Sequence, residues 1–315
     1  MITGANGFLG QALCAQAVVR GMGVRGTTRL PHGRLAGVEP CAVGDIDGLT
    51  PWQAALTGCE VVVHLAARVH VMQEVAAHPL AEFRKVNVEG TLNLARQAAA
   101  AGVRRFVFLS SIKVNGEATQ PGVPYRADDT PAPQDPYGLS KFEAEQGLHQ
   151  IALQTGMELV VIRPPLVYGP GVKANFASMM RLLQRGIPLP LGAIHNRRSL
   201  VALDNLVDLI VLCITHPAAT NQTFLVSDGE DVSTPELLRR TGQAMGHPAR
   251  LLSVPTPCLR LAAAIVGRQD VAGRLWGSLQ LDIEKTQRLL GWRPPLTLNQ
   301  GLKQAVKGYG REAGR

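Results

Sequence analysis

A tyrosine and a lysine stand at a spacing that supports proton transfer, in the segment Y-G-L-S-K at positions 137–141. On a helix, positions i and i+4 share one face, so the phenol of Tyr137 and the ammonium of Lys141 are expected side by side. A free phenol has a pKa of about 10, and a neighbouring cation lowers that value by stabilising the phenolate. Tyr137 is therefore predicted to exchange a proton with an alcohol or carbonyl oxygen of a substrate.

A glycine-rich loop opens the chain, with glycines at the spacing G-x-x-G-x-x-G directly after Thr3. Such glycines allow a tight turn and a close approach to a pyrophosphate, and the helix that follows offers unpaired N–H groups. The pattern predicts a dinucleotide site, in which a nicotinamide would exchange hydride while Tyr137 handles the proton. The predicted contacts in the loop are Gly4, Asn6, Gly7, Phe8, Leu9 and Gly10.

The choice between NAD and NADP depends on the end of the second strand, expected at residues 23–28. NAD is normally held there by a carboxylate, whereas this chain has Arg29, whose guanidinium suits the 2′-phosphate of NADP. The sequence thus favours NADP over NAD, with a merely exposed arginine as the alternative. Further cofactor contacts are predicted after the third and fourth strands, at Asp45, Ile46, Leu65, Ala66 and Ala67.

Two serines, Ser110 and Ser111, end an apolar run at residues 106–109. Parallel sheets place functional groups at this edge, and a hydroxyl there can hydrogen-bond the reacting oxygen. Ordinary capping of the strand end is the alternative interpretation, and the presence of Tyr137 and Lys141 favours the functional one.

Composition limits the protein class. The 315 residues are 46% hydrophobic and 18% charged, which suits one large domain or two that share a cleft. No apolar run reaches the ~20 residues of a membrane span. The five cysteines are far apart, so neither a metal site nor disulfides are expected and a cytoplasmic location fits best. The net charge of +8 comes with only 4% aromatics, which favours a basic cleft for a diphosphate over nucleic-acid binding.

Short β-rich runs alternate with helical patterns in the first half of the chain, which predicts an α/β Rossmann fold with a doubly wound parallel sheet. Strands are expected at residues 61–65, 106–109 and 159–162, and a helix at 81–101 that ends before Gly102. Five prolines make residues 116–136 a loop. We expect a dinucleotide-binding domain over 1–165 and a smaller substrate-binding lobe over 166–315, with 199–228 returning to the first domain.

The start of the chain is unusual for this fold, because only Met1, Ile2 and Thr3 precede the glycine loop. A dinucleotide-binding sheet normally has a full strand at that point. Either the first strand is very short, or the natural sequence begins upstream, and the second interpretation is preferred.

Five segments resemble, in order, the motifs of the extended short-chain dehydrogenase/reductases, and within them the UDP-sugar 4-epimerase group. They are T-G-A-N-G-F-L-G, H-L-A-A, F-L-S-S-I-K-V-N-G, Y-G-L-S-K and R-P-P-L-V-Y-G-P-G. The resemblance runs from Ile2 to about Tyr309. It implies a Rossmann fold with a C-terminal sugar-nucleotide lobe, NAD or NADP as cofactor, a UDP-linked sugar as substrate, and a homodimer.

By position, the resemblance implies Ser111 as the catalytic serine, Tyr137 as the catalytic base and Lys141 as its partner. Asn87 matches an asparagine that supports the lysine through a helix carbonyl and water, and Pro164 lies beside the nicotinamide ribose in the family. Substrate contacts are implied for Ser111, Lys113, Asn175, Arg198 and Arg274.

Departures from the family's motifs narrow the range of reactions that the resemblance implies. Sugar 4,6-dehydratases have an Asp-Glu pair where this chain has Ile112 and Lys113, so dehydration is disfavoured. The S-S-I-K-V-N-G and H-L-A-A-R-V-H-V segments are similar to bacterial enzymes that reduce the 4-keto group of a UDP-4-keto-6-deoxy-N-acetylhexosamine to UDP-N-acetylquinovosamine, an O-antigen precursor. A 4-ketoreductase is the preferred hypothesis. A 4-epimerase with retained NAD and a non-catalytic dinucleotide-binding sensor are the alternatives.

Overall fold

The computed structural model describes residues 1–30, 35–69, 78–172, 175–255, 257–259 and 276–313. Within these ranges ten strands form two sheets, a parallel sheet of seven strands and a smaller sheet of three. In chain order the strands are β1 (Ile2–Thr3), β2 (Val24–Thr28), β3 (Val38–Ala42), β4 (Val61–His64), β5 (Arg105–Leu109), β6 (Glu158–Arg163), β7 (Leu166–Tyr168), β8 (Arg198–Ala202), β9 (Gln222–Leu225) and β10 (Asp231–Val232).

The helices that cover these sheets are α1 (Phe8–Val19), α2 (Gln53–Leu56), α3 (Pro79–Arg84), α4 (Thr91–Ala100), α5 (Pro136–Thr155), α6 (Asn175–Gln184), α7 (Leu203–Thr215), α8 (Thr234–Met245), α9 (Glu284–Leu290) and α10 (Leu298–Ala313). A π-helical turn over Lys85–Gly90 joins α3 to α4, and a short 3₁₀ turn over Ile112–Val114 follows β5. π-Helical turns inside helices are frequent at functional sites.

The large sheet has the order β3-β2-β1-β4-β5-β6-β9, and its strand pairs are parallel. Its central strands are apolar almost throughout because helices cover both faces. On one face α1 and α7 pack around residues such as Leu13 and Leu206, and on the other α2, α4 and α5 pack around Trp52, Leu94 and Leu148. The prediction of a Rossmann-type doubly wound sheet is confirmed.

The second half of the chain contributes strands and helices to both sheets. Strands β7, β8 and β10 form the small sheet, whose apolar cluster includes Tyr168 and Phe176 and is completed by α6, α8 and α10. Between β8 and β10 the chain returns to the large sheet, where α7 packs against α1 and β9 pairs with β6. The small sheet is therefore connected to the large one through β6, which β7 follows directly.

The predicted strands and the helix at 81–101 are present, with the π-helical turn as a feature that periodicity did not reveal. The proline-rich segment is a loop up to Asp135, and α5 begins at Pro136. Strand β1 has two residues. Within the described ranges, none of the helices has the length and apolar character that a bilayer crossing requires.

Candidate active site

Helix α5 carries the tyrosine and the lysine, and its start is fixed by Asp135 and Pro136. The Asp135 Oδ1 atom accepts a hydrogen bond of 2.6 Å from the backbone N–H of Gly138, which caps the helix. Pro136 occupies the first turn, where its fixed φ suits a helix and its missing N–H costs nothing. This local sequence therefore places Tyr137 in the first turn, at the carboxyl edge of the sheet.

The phenol of Tyr137 lies against the segment that follows β5. The Ser111 hydroxyl lies near the phenol and lowers its pKa. Burial and then the nearby Asp135 carboxylate act more strongly in the other direction and raise the pKa of Tyr137 to about 12. On the side of α3, the Phe83 ring meets the tyrosine edge-on at 6.0 Å between centroids. The sequence-based prediction of a lowered pKa is therefore wrong for the protein's own groups, because burial and the Asp135 carboxylate together outweigh the effect of Ser111.

Lys141 lies one turn further along α5 and is only 2% exposed. Its Nζ atom stands 4.2 Å above the centroid of the Phe108 ring on β5, a cation–π contact. Burial lowers the pKa of Lys141 to about 7, against the opposing effect of the Glu145 carboxylate. The side chain is therefore a buried amine that gains and loses its proton near neutral pH.

A buried ion pair lies one turn beyond Lys141 on the same face of α5. Glu145 receives two hydrogen bonds from the Arg163 guanidinium, Nε to Oε1 at 3.0 Å and Nη2 to Oε2 at 2.5 Å. The Ser110 hydroxyl also donates to Glu145 Oε1, and Arg163 Nη1 donates to Asn115 Oδ1 at 3.0 Å. The network joins α5 to the ends of β5 and β6, which fixes the helix relative to the sheet.

Asn87 lies in the π-helical turn and links two segments of the site. Its side-chain amide exchanges hydrogen bonds with the backbone of Arg68, accepting from the N–H at 2.8 Å and donating to the carbonyl at 3.0 Å. It also donates to the Ser140 hydroxyl at 3.0 Å, which in turn donates to the Tyr137 carbonyl at 2.8 Å. Asn87 thus holds the helix that carries the tyrosine and lysine, through Ser140.

The glycine loop makes the tight turn that its sequence predicts. Gly4 has a φ of +66°, and a Cβ on Gly10 would lie 2.0 Å from the Gly4 carbonyl oxygen. Gly7 is the N-cap of α1 and has no side chain to cap the first turn. The N–H groups of Phe8, Leu9 and Gly10 and the positive end of the helix dipole therefore suit a pyrophosphate, so the loop fits a dinucleotide.

Thr3 and His64 hold the two strand ends beneath that loop. The Thr3 hydroxyl accepts hydrogen bonds from the N–H groups of Leu65 and Ala66, at 3.0 and 3.1 Å, so its own proton points to His64 Nδ1 at 2.8 Å. The His64 Nε2 atom therefore carries the ring proton and donates to the Thr91 hydroxyl at 3.0 Å. Burial, followed by the charge of Lys141, lowers the pKa of His64 to about 3, so the ring is neutral.

The other predicted cofactor positions lie around the same edge. Arg29 follows β2, with its side chain 79% exposed and 4.0 Å from the Asp45 carboxylate. Ile46 lies against Gly90 of the π-helical turn, and the carbonyl of Pro164 accepts from the Ile112 N–H at 3.0 Å. Ala67 directly follows Leu65 and Ala66 after β4.

The predicted substrate contacts have different outcomes. Lys113 lies beside the site, but its ammonium is paired with Asp135 and Glu117. Arg198 begins β8, and its Nη1 atom donates to the Gly277 carbonyl at 3.1 Å. Asn175 begins α6, with its side chain outside the described residues, and Arg274 lies outside them altogether.

Sequence reasoning missed three contributors to the site. Asp135 carried a usable signal, since an aspartate before a proline is typical of a helix start. Glu145 lies four residues after Lys141, so its place on the same face was readable. Phe83 gave no signal, because its contact with Tyr137 joins two helices distant in sequence.

A comparison with protein families finds that the model for the NAD dependent epimerase/dehydratase family matches residues 1–227. The chain belongs to this family. The resemblance to extended short-chain dehydrogenase/reductases of the UDP-glucose 4-epimerase type is thereby confirmed, whereas the 4-ketoreductase subtype is a narrower statement that the family does not decide.

Relatives of the epimerase/dehydratase family match along nearly the whole chain. A UDP-glucose 4-epimerase of Vibrio cholerae is 49% identical, over 98% of this chain and 94% of its own length. A UDP-glucose 4-epimerase of Mycolicibacterium smegmatis is 31% identical, over 98% and 97%. The solved structure of MoeE5 in complex with UDP-glucuronic acid and NAD aligns with a TM-score of 0.78 at 26% identity, over 99% and 98% of the two chains.

Proposed function

We propose that this protein is an NAD-dependent UDP-sugar 4-epimerase, which oxidises C4 of the sugar and returns the hydride to the opposite face. The observation that carries the chemistry is the Ser111 hydroxyl beside the Tyr137 phenol, whose pKa it lowers, with the buried Lys141 one helical turn away. Epimerisation is favoured because the Vibrio cholerae relative, 49% identical, is named a UDP-glucose 4-epimerase.

In the proposed mechanism the chain's own groups handle the proton. When bound, NAD supplies a hydride acceptor at C4 and a positive ring charge that favours the phenolate of Tyr137. Tyr137 takes the proton of the C4 hydroxyl as the hydride leaves, and Ser111 hydrogen-bonds the same oxygen as it becomes a carbonyl. After the keto-sugar has rotated to present its opposite face, Tyr137 returns the proton to the oxygen at C4. Lys141, when protonated, stabilises the phenolate in both halves of the cycle.

NAD is the proposed cofactor, in place of the NADP that the sequence favoured. The Arg29 side chain is mostly exposed and its guanidinium lies 4.0 Å from the Asp45 carboxylate, which offsets the positive charge that a 2′-phosphate would use. The related MoeE5 structure contains NAD. Both observations support NAD, and the preference for NADP receives no support.

A UDP-sugar 4-ketoreductase is the second candidate, and one observation favours it. A pKa of about 12 keeps Tyr137 protonated at neutral pH, which suits a group that must donate a proton to a 4-keto oxygen. In that reaction the dinucleotide is consumed as a reductant and exchanged in each turnover, with Ser111, Tyr137 and Lys141 in the same places.

Two measurements on the purified protein separate these candidates. The dinucleotide released on denaturation is identified by mass spectrometry, and the folded protein is incubated with UDP-glucose or UDP-galactose without added cofactor. An epimerase releases NAD and interconverts the two sugars. A ketoreductase instead oxidises added NADH or NADPH in the presence of a UDP-4-keto-sugar.

The enzyme assignment itself is tested by Tyr137→Phe, which removes the proton donor and acceptor without changing the ring. We expect kcat to fall by about 10²–10⁴-fold while dinucleotide affinity stays within about twofold. The matched control is Tyr309→Phe, since the Tyr309 hydroxyl is exposed on α10 and bonds Gln184 at 3.1 Å. Wild-type protein that binds dinucleotide but turns over no UDP-sugar would instead favour the non-catalytic sensor.

A further inference from the structure

We propose that Lys113 is a positioning residue that acts on Tyr137 through Asp135, and that it is not a ligand of the sugar. The resemblance of the S-S-I-K-V-N-G segment to sugar-nucleotide enzymes placed Lys113 among the substrate contacts. In the structure its ammonium instead pairs with Asp135, at the start of the helix that carries Tyr137.

The contacts of Lys113 engage its charge. Its Nζ atom forms an ion pair with Asp135 Oδ2 and lies 3.3 Å from Glu117 Oε1. The side chains of Lys113 and Asp135 are only 29% and 19% exposed, so water screens their pair less than a surface pair. An ammonium held between two carboxylates is already neutralised by the protein.

Asp135 links that ion pair to the catalytic helix. While Oδ2 binds Lys113, Oδ1 accepts the N–H of Gly138 and caps α5 beside Tyr137. The backbones also touch, since a Cβ on Gly138 would lie 2.8 Å from the Lys113 carbonyl oxygen. One carboxylate therefore joins the segment after β5 to the first turn of α5.

The charge of Asp135 acts on the tyrosine as well. The carboxylate raises the pKa of Tyr137, second only to burial. Lys113 opposes this effect by pairing with the same carboxylate, because a neighbouring cation offsets the field of an anion. Removal of the ammonium would leave Asp135 with its full charge beside the phenol.

The remaining polar and charged groups around Tyr137 come from several elements. On its own helix lies Lys141, and after β5 lies Ser111, which lowers the pKa of the phenol. On the side of α3, Arg68 stacks on Phe83 with its guanidinium carbon 5.7 Å from the ring centroid. The variants below leave these groups unchanged, so a shift in titration reports the Lys113–Asp135 pair.

The first test uses the protein with oxidised dinucleotide bound and without substrate, because the positive nicotinamide ring favours the phenolate and should move its titration below the pH at which lysines lose their charge. The four tyrosines are isotope-labelled and titrated by NMR, with Tyr137→Phe assigning the signal. Lys113→Met is expected to raise the pKa of Tyr137 by roughly half a unit to one unit. Asp135→Asn, which keeps a capping side chain, is expected to lower it by a similar amount. In the Asp135→Asn background, Lys113→Met should cause no further rise.

A second lysine–aspartate pair provides a matched control. Lys285 on α9 pairs with Asp128 at 2.7 Å and tethers the loop that precedes α5, but it lies away from the helix cap. Lys285→Met should leave the titration of Tyr137 unchanged. Lys113→Arg keeps the positive charge and should restore the wild-type value.

The second test rests on the proposed function, because it measures turnover of a UDP-sugar. Lys113→Met should lower kcat at neutral pH by about 3–10-fold and move the pH profile with the tyrosine, while KM for the UDP-sugar changes less than about twofold. Failure of the proposed function would remove this test only, since the NMR titration needs no substrate.

Two results would overturn the proposal. One is an unchanged titration of Tyr137 in Lys113→Met together with a tenfold rise in KM that persists in the Asp135→Asn background, which would make Lys113 a sugar ligand. The other is an unchanged pKa of Tyr137 in Asp135→Asn. This variant retains Lys113, so its result decides the question even if Lys113→Met is unstable.

Discussion

The buried Lys141 should make the folded protein less stable than it would be with an uncharged side chain at this position. Its pKa falls from 10.5 to about 7 on burial, a difference of about 3.5 units, and each unit corresponds to about 1.4 kcal/mol. Keeping the amine protonated in the folded state therefore costs about 4–5 kcal/mol. Lys141→Met, similar in length but uncharged, should recover this free energy, less about 1 kcal/mol for the lost contact with Phe108.

The gain depends on pH in a defined direction. Because the folded pKa is the lower one, the unfolded chain binds more protons between pH 7 and 10.5, and wild-type stability rises with pH through that range. The advantage of Lys141→Met is therefore full, at about 3–4 kcal/mol, below pH 7 and vanishes near pH 10.5. It corresponds to a Tm higher by roughly 5–10 °C at pH 6.

Urea denaturation followed by circular dichroism at pH 6, 8 and 10, on protein stripped of dinucleotide, measures this difference. Lys303→Met is the control, because the Lys303 side chain is exposed on α10 and its charge stays in water when the chain folds. The variant should also lose turnover, so stability and activity change in opposite directions. A stability difference that does not vary with pH, or a loss of stability at pH 6, would refute the reasoning.

Two further predictions concern the glycine loop and the buried ion pair. Gly10→Ala should weaken dinucleotide binding by at least about 100-fold in calorimetric titration, because its Cβ would meet the Gly4 carbonyl oxygen, whereas a Cβ on Gly23 meets nothing within 4 Å and Gly23→Ala should bind normally. Glu145→Gln should lower the free energy of unfolding by about 3–5 kcal/mol, since it leaves the 5%-exposed Arg163 without its counter-charge, and adding Arg163→Met should recover most of the loss. Normal binding by Gly10→Ala, or equal destabilisation by the single and double variants in urea, would contradict these expectations.

The sequence by itself determined the features that depend on neighbouring residues. The glycine spacing specifies a turn that only residues without a Cβ can make, and the structure shows that turn at Gly4 and Gly10. Tyr137 and Lys141 share a helix face because helical geometry is local. The alternation of strands and helices determined the parallel sheet, whose central strands are buried on both faces.

Tertiary structure decided which distant groups meet. Ser111 reaches Tyr137, and Lys113 pairs with Asp135 instead of pointing freely into the site, because the segment after β5 packs on the first turn of α5. The side chain of Asn87 reaches Ser140, a contact that joins the π-helical turn to α5. These pairs are separated by 22 to 53 residues or lie on different elements, so no local pattern records them.

The acidity of the phenol shows the limit of local reasoning most clearly. From two side chains on one helix face, a lowered pKa for Tyr137 was the natural prediction. The folded chain removes water from around the phenol and brings the Asp135 carboxylate near it, and both raise the pKa of Tyr137. Helix spacing determined which residues of α5 lie beside Tyr137. The desolvation of the phenol depends on every group that packs around the site, so only the assembled fold determines it.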